Sequence, residues 1–383
     1  MRKLYLLVAV GLWLVPLARV WAEGSTVTDL VKSKCEQIDQ KIQELMQLRE
    51  ELLRAAGVEA PPAPPAPPPK PADWTQKIKL TGYMQNRYEW FDVGVDQFTV
   101  RRAYLSLIAK PSDRSSAVMT WVRIGAGSTD VTWDNLFFDY KLTDTDTLRF
   151  GQAPTWFGLE AAQSSSARIP LERAAFLEGG DMRKPPGLYW RGNTDRGLYW
   201  IHTPQDCTRS PQLILGVVNG AFRDNAKNSQ LTCEIDLKMM PTWGQWGLSW
   251  LDGSWQGPNP FVPQTPTPAD VTFARNGLLG YVRYTGCQPW AAQSEYLTGR
   301  FGGHGVQGWY GQLERLLGGS GTAFAKYEWY DPDRDAGSDV YQSWMLGYAH
   351  QLDANNRLTL QLANAERAGA NVDEAGFQWQ YGF

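Results

Sequence analysis

From Asp73 to Phe383 apolar and polar residues alternate in short runs broken by turn residues, most plainly in the last run, where Phe377, Trp379, Tyr381 and Phe383 alternate with Gln378, Gln380 and Gly382. Successive side chains of a strand point to opposite faces, so this segment has one aromatic face and one polar face. The same pattern predicts strands at 76–92, 97–110, 115–126, 131–142, 146–152, 195–203, 211–220, 228–239, 244–255, 275–286, 289–299, 305–317, 320–331, 340–352, 356–366 and 373–383. Sixteen is an even number, and all but the fifth approach the ~10 residues that cross a bilayer at a tilt. The expected fold is therefore all-β, a 16-stranded antiparallel transmembrane barrel with its aromatic face toward outer-membrane lipid and its polar face toward an aqueous interior.

Loop lengths supply a second argument, because such barrels have short periplasmic turns and long outer loops. Gaps after odd-numbered strands include 153–194, 256–274 and 332–339, the longest three, whereas gaps after even strands are mostly tight, as at Pro111–Arg114, Thr143–Thr145, Pro241–Trp243 and Asp353–Asn355. The even gap at Pro204–Ser210 is longer than this rule favours. A soluble two-sheet protein shares the alternation but has no reason to sort its loops by parity.

Ahead of the barrel the pattern changes twice. Residues 1–22 read as a secretory signal peptide: Arg2 and Lys3 precede an apolar run from Leu4 to Leu17, and Val20 and Ala22 occupy the small-residue positions of a cleavage site. Within 23–57, Val31, Ile38, Leu45 and Leu52 recur every seven residues, with Cys35, Ile42 and Arg49 interleaved, which predicts an α-helical coiled coil over 27–55. A single amphipathic helix lying on another surface is the alternative. Residues 58–72 form a proline-rich spacer, extended at about 3.1 Å per residue. Entry from the periplasm leaves this whole N-terminal region there, where it could meet the cell wall.

Composition then narrows the classes. Eighteen Trp, 16 Tyr and 14 Phe exceed the needs of a soluble core but suit aromatic girdles, the absence of a phosphate-cradling glycine loop argues against a nucleotide site, and no nucleic-acid partner is expected. The four cysteines have no metal-ligand spacing, and their pairing is open. An enzyme is not expected. His202 and His350 fall at periplasmic strand ends and His304 in an outer gap, and Ser164–Ser166 have no assigned base beside them. No cofactor is expected either.

Several runs resemble the phosphate-selective porin O/P family, in that family's order: FTVRRAYLSL (Phe98–Leu107), RFGQAPTWFGLE (Arg149–Glu160), LERA (Leu171–Ala174), GVVNGAF (Gly216–Phe222), GVQGWYGQLE (Gly305–Glu314) and AKYEWYDPD (Ala325–Asp333). The resemblance spans 76–383 and implies a channel for small hydrophilic solutes or anions such as phosphate, commonly a homotrimer, narrowed by a third outer loop at Ala153–Thr194. Known phosphate-selective members rely on lumen arginines and lysines. Residues 149–223 hold nine Arg/Lys against six Asp/Glu, a mildly basic balance, while Asp331, Asp333, Asp335 and Asp339 make one outer loop acidic.

Taking the greasy side of each strand as lipid-facing places Lys79, Arg87, Arg102, Arg123, Arg149, Arg283 and Arg357 in the lumen, with Glu89, Asp139, Glu234, Asp236, Glu314 and Glu328. Arg168 and Arg173 lie on the constriction loop, nearest a passing ion. Arg87, Arg102, Arg123, Arg149, Arg168 and Arg173 are thus the expected anion-binding set, as a selective ladder or as part of a mutually neutralising wall. An envelope tether acting through the coiled coil is the rival role.

Overall fold

The computed structural model describes residues 77–383 except 93–95, 125–129, 180–183, 189–192, 221–230, 258–270, 337–338 and 368, and, near the N-terminus, residues 40, 44 and 47 alone. Sixteen strands follow one another: β1 Ile78–Phe91, β2 Gln97–Ser112, β3 Ser115–Ile124, β4 Thr132–Lys141, β5 Asp146–Pro154, β6 Thr194–His202, β7 Gln212–Val218, β8 Thr232–Met239, β9 Gly244–Gly257, β10 Val271–Cys287, β11 Trp290–Phe301, β12 His304–Leu317, β13 Gly321–Asp331, β14 Tyr341–Gln351, β15 Asn356–Arg367 and β16 Ala370–Gly382. Each pairs antiparallel with its sequence neighbours, and β1 pairs with β16 to close the barrel. Every expected strand is present. Because β8 starts at Thr232 rather than at 228, the outer gap after β7 runs from 219 to 231 and exceeds the one at 332–340.

The alternation sorts the wall as the sequence predicts. Trp250, Trp309, Trp344, Leu346, Leu360, Phe377 and Trp379 are exposed on the outside, while Gln85, Arg87, Gln378, Glu328 and Lys326 are buried on the inside. Closure is made by the end of the chain: Phe383 N–H donates to the Gly82 carbonyl at 3.0 Å, and the Phe383 carbonyl accepts from Gly82 N–H at 3.1 Å and from Thr81 Oγ1 at 2.7 Å. The Phe383 ring lies over Gly82, where a Cβ would strike it and the Tyr104 carbonyl.

Gln40, Glu44 and Gln47 are helical and exposed. The expected signal peptide, the rest of the coiled coil and the proline spacer lie outside the described residues. Cys207, Cys233 and Cys287 are unpaired. No helix among the described residues is long and apolar enough to cross a membrane.

Candidate functional site

The described residues of the segment 155–193, between β5 and β6, fold into the barrel. Thr155 N–H bonds the Asn193 carbonyl at 2.8 Å and closes the base of this loop. Its apolar residues Phe157, Ala161, Phe176, Leu177 and Leu188 are fully buried against Leu251, Leu279, Leu297, Tyr310 and Tyr330, on the inner faces of β9 to β13. Burial of each large apolar side chain contributes about 2 kcal/mol. The loop therefore fills one side of the lumen as a packed body.

Polar wall residues position its backbone. Glu295 on β11 accepts from the N–H groups of Leu159 and Glu160 at 2.9 and 2.7 Å, at the start of the short helix α1 (Leu159–Ala162). Glu328 on β13 accepts from Ala175 N–H at 2.8 Å, and Gln361 on β15 from Leu171 N–H at 3.0 Å. Ser249 Oγ accepts from Gly158 N–H at 2.9 Å. Gly158 has φ +87°, and a Cβ there would collide with the Glu295 carboxylate, so glycine is required by both conformation and space. Lys326 Nζ meets Glu160 Oε1 at 2.9 Å with both side chains buried. Of the wall acids that dock the loop, Glu328 was legible as lumen-facing and Glu295 was missed.

The opposite edge of the loop is held by arginines. Glu172 receives Arg87 at 2.8 Å, Arg101 at 2.7 Å and Arg102 at 2.7 Å. Two consecutive strand residues reach one carboxylate because β2 bulges here: Gln85 pairs with Arg102 and Asn86 with Val100, leaving Arg101 extra. Arg87 also meets Glu89 at 3.0 Å and donates to the Leu171 carbonyl and Gln378. Burial pushes the Glu172 carboxyl up, but Arg101, Arg102 and Arg87 outweigh it and hold it well below the usual carboxylate range.

The expected anion-binding residues thus divide. Arg87 and Arg102 face the lumen, but their guanidinium groups are engaged by Glu172. Arg173 donates to the carbonyls of Glu160 and Gln163 at 2.6 and 2.8 Å and pairs with Glu178, so it braces the loop. Arg168 is 2% exposed, and its three guanidinium nitrogens have no hydrogen-bond partner among the described residues. Burial, and then the neighbouring Arg173, lowers its pKa to about 10, which leaves it charged at neutral pH. Among the described residues, five arginines (87, 101, 102, 168 and 173) and Lys184 stand around Glu172 against four carboxylates (Glu89, Glu172, Glu178 and Glu374), an excess of two positive charges.

Arg149 forks onto Asp139 at 2.7 and 2.9 Å, with its guanidinium 3.9 Å above the Phe137 ring. Arg123 corrects the expectation. It shares a face with Trp121, opposite the buried Val122, and so points out of the barrel, where it donates to the Val100 carbonyl at 3.3 Å. The inner face of β3 carries Val118 and Val122, so its greasy side did not identify its lipid side. Arg101 was missed because strict alternation hides a bulge. Ser164 and Ser166 bond each other at 2.9 Å, while His202 and His304 pair with Asp146 and Asp333. No metal-holding group of His, Cys, Asp and Glu occurs among the described residues.

Residues 78–229 match the family described as phosphate-selective porin O and P. The motifs at Gly305–Glu314 and Ala325–Asp333 lie beyond that match. No curated protein matches the chain by sequence. Among solved structures, the anion-selective porin from Comamonas acidovorans is similar with a TM-score of 0.58 at 10% identity, covering 80% of this chain and 99% of that one. The in-vitro folded OmpT of Vibrio cholerae, in its trimer form, gives 0.56 at 10% identity, with 80% and 99% covered. The outer membrane channel DcaP of Acinetobacter baumannii gives 0.54 at 11% identity, with 80% and 97% covered. At these identities the likeness is one of fold.

Proposed function

We propose that this chain, whose residues 78–229 match the phosphate-selective porin O and P family, is a passive outer-membrane diffusion channel for small hydrophilic solutes that favours anions. The observation that carries this reading is the packed body 155–193 inside a closed barrel with an aromatic and aliphatic exterior. It narrows a water-filled path without any reacting group, so pore width and fixed charge are the only devices the function needs.

Anion preference comes from the arginine cluster at the edge of the loop. A fixed charge about 7 Å from a passing ion is worth about 2 kcal/mol at an effective dielectric of 20. Glu172 neutralises much of the cluster, and the charge of Arg168 remains. Arg168 is sealed beneath the surface, so it acts through its field rather than by contact. Arg87 and Arg102 shape the wall beside it, and Arg149 lines the wall at Asp139 on β4.

The channel works as a homotrimer in the outer membrane, with residues 23–57 gathering as a coiled coil in the periplasm and 58–72 as the spacer. An attachment role for 23–72 can coexist with permeation, and deleting 27–72 separates the two by sparing conductance while weakening the envelope. In planar bilayers, reversal potentials across a salt gradient should favour chloride over potassium. A cation-favouring potential overturns the anion preference, and absence of conductance overturns the channel.

A further inference from the structure

A water-filled barrel is expected to carry a polar inner wall. Strands β2 to β4 depart from this. Ile108 pairs with Val118, and Val118 with Phe137, giving one apolar row across three neighbouring strands. Ile108 has the parity of Arg102, Val118 that of the buried Thr120, and Phe137 that of Asp139, so all three face inward. Phe137 packs with Trp156 against the inner-wall cluster of Ala153, Tyr199 and Ile201. Ile108, Val118, Phe137 and Trp156 are all half-buried. On β2 the loop is held by Arg101 and Arg102, nearer the outer end than Ile108, and on β4 it touches Phe137 through Trp156, so Ile108 and Val118 stay on the open side of the lumen.

Directly toward the periplasmic mouth the chemistry changes sign. Lys79 is the cross-strand partner of Ile108 and shares its inward face. Below it lies a cavity of about 580 Å³ lined by Lys77, Lys110, Arg114 and Lys141, with Ser112, Ser115, Ser116 and Thr147 among its polar groups. Two acids also line it. Asp139 is already held by both nitrogens of the Arg149 fork, and Asp113 lies in the β2–β3 turn. An apolar row therefore ends on a group of cations whose one deep carboxylate is neutralised.

We infer that this wall forms a subsite for amphipathic organic anions, with a ring or short hydrocarbon body against Ile108 and Val118, beside the Phe137 ring that Arg149 covers on one face, and a carboxylate or sulfonate among the lysines. The inference rests on the channel reading and names a permeant class for it. A small inorganic anion would use only the lysines, whereas burial of apolar area is what distinguishes a ring-bearing solute.

The test compares 3-phenylpropionate with propionate, which has the same carboxylate and no ring, as blockers of chloride current through the full-length protein in planar bilayers. The wild type should be half-blocked by 3-phenylpropionate at a concentration lower by about fivefold or more, the gain expected from partial burial of a ring. The double variant Ile108→Thr/Val118→Thr, which keeps β-branched side chains, should remove that advantage without altering the propionate value. Lys79→Gln/Lys110→Gln should weaken both blockers together. Equal block of the wild type by the two acids overturns the inference while chloride conductance still upholds the channel, and so does a threonine variant that keeps the advantage. Absence of chloride current in the wild type overturns the channel reading, and the inference with it.

Discussion

Replacing Glu172 by Gln removes one negative charge from a carboxylate that three guanidinium groups share at 2.7 to 2.8 Å. Leaving buried charges without their partner costs about 3–5 kcal/mol. The apolar body of the loop resists: Phe157, Phe176, Leu177 and Leu188 are each fully buried, at about 2 kcal/mol apiece. The larger quantity wins, so the loop as a whole should stay docked while the arm around Arg168 to Arg173 releases. Barrel stability, read by heat-modifiable migration on gels, should not change. Single-channel recordings should show higher conductance and more open-channel noise, and reversal potentials should move further toward anions. The pH dependence follows from sign. A carboxyl held below its free value of 4.5 stabilises the latch above that pH and loses the effect as pH falls through the depressed value, so wild-type conductance should stay flat from pH 7 to pH 5. Unchanged conductance and noise in Glu172→Gln would show that the arginines do not hold this arm.

Other substitutions separate the arginines by role. Arg168→Glu should shift selectivity toward cations with little loss of stability, whereas Arg173→Glu should also loosen the loop and raise noise, because Arg173 braces two carbonyls. Arg123→Glu should leave the reversal potential where it was, since the side chain is outside; a shift like that of Arg168→Glu would put it back in the lumen. Gly158→Ala should displace the loop start from Glu295 and raise conductance, which single-channel recording checks. Gly82→Ala should crowd the Phe383 ring at a cost of about 1–3 kcal/mol, lowering the temperature at which the barrel unfolds on gels.

The barrel was legible because one physical rule, an apolar face toward lipid and a polar face toward water, writes itself into every strand with period two. That rule placed β16 and its Gln378 and Gln380 correctly. It failed where the backbone or the environment broke the period. At Arg101 a bulge turns two consecutive side chains inward. At Arg123 the opposite face of the strand is itself apolar, so the pattern had two answers. The loop posed a different difficulty. Glu172 was counted as one of six acids in a basic stretch, and nothing in its neighbours along the chain reveals that Arg87 and Arg101 reach it from the wall. Pairing across the lumen is a property of tertiary structure, and charge counts along the sequence average it away.

The ladder between β1 and β16 has a kinetic meaning. Every other ladder joins strands adjacent in sequence, so each can zip as a hairpin with modest loop-closure entropy, although the 155–193 insertion makes one closure longer. The last ladder brings together Gly82 and Phe383. Until it forms, both edges of the sheet present unpaired N–H and C=O groups, which a hydrocarbon environment cannot satisfy. An incompletely closed sheet is therefore the least tolerable intermediate of assembly, and the same pairing step satisfies both of its edges at once.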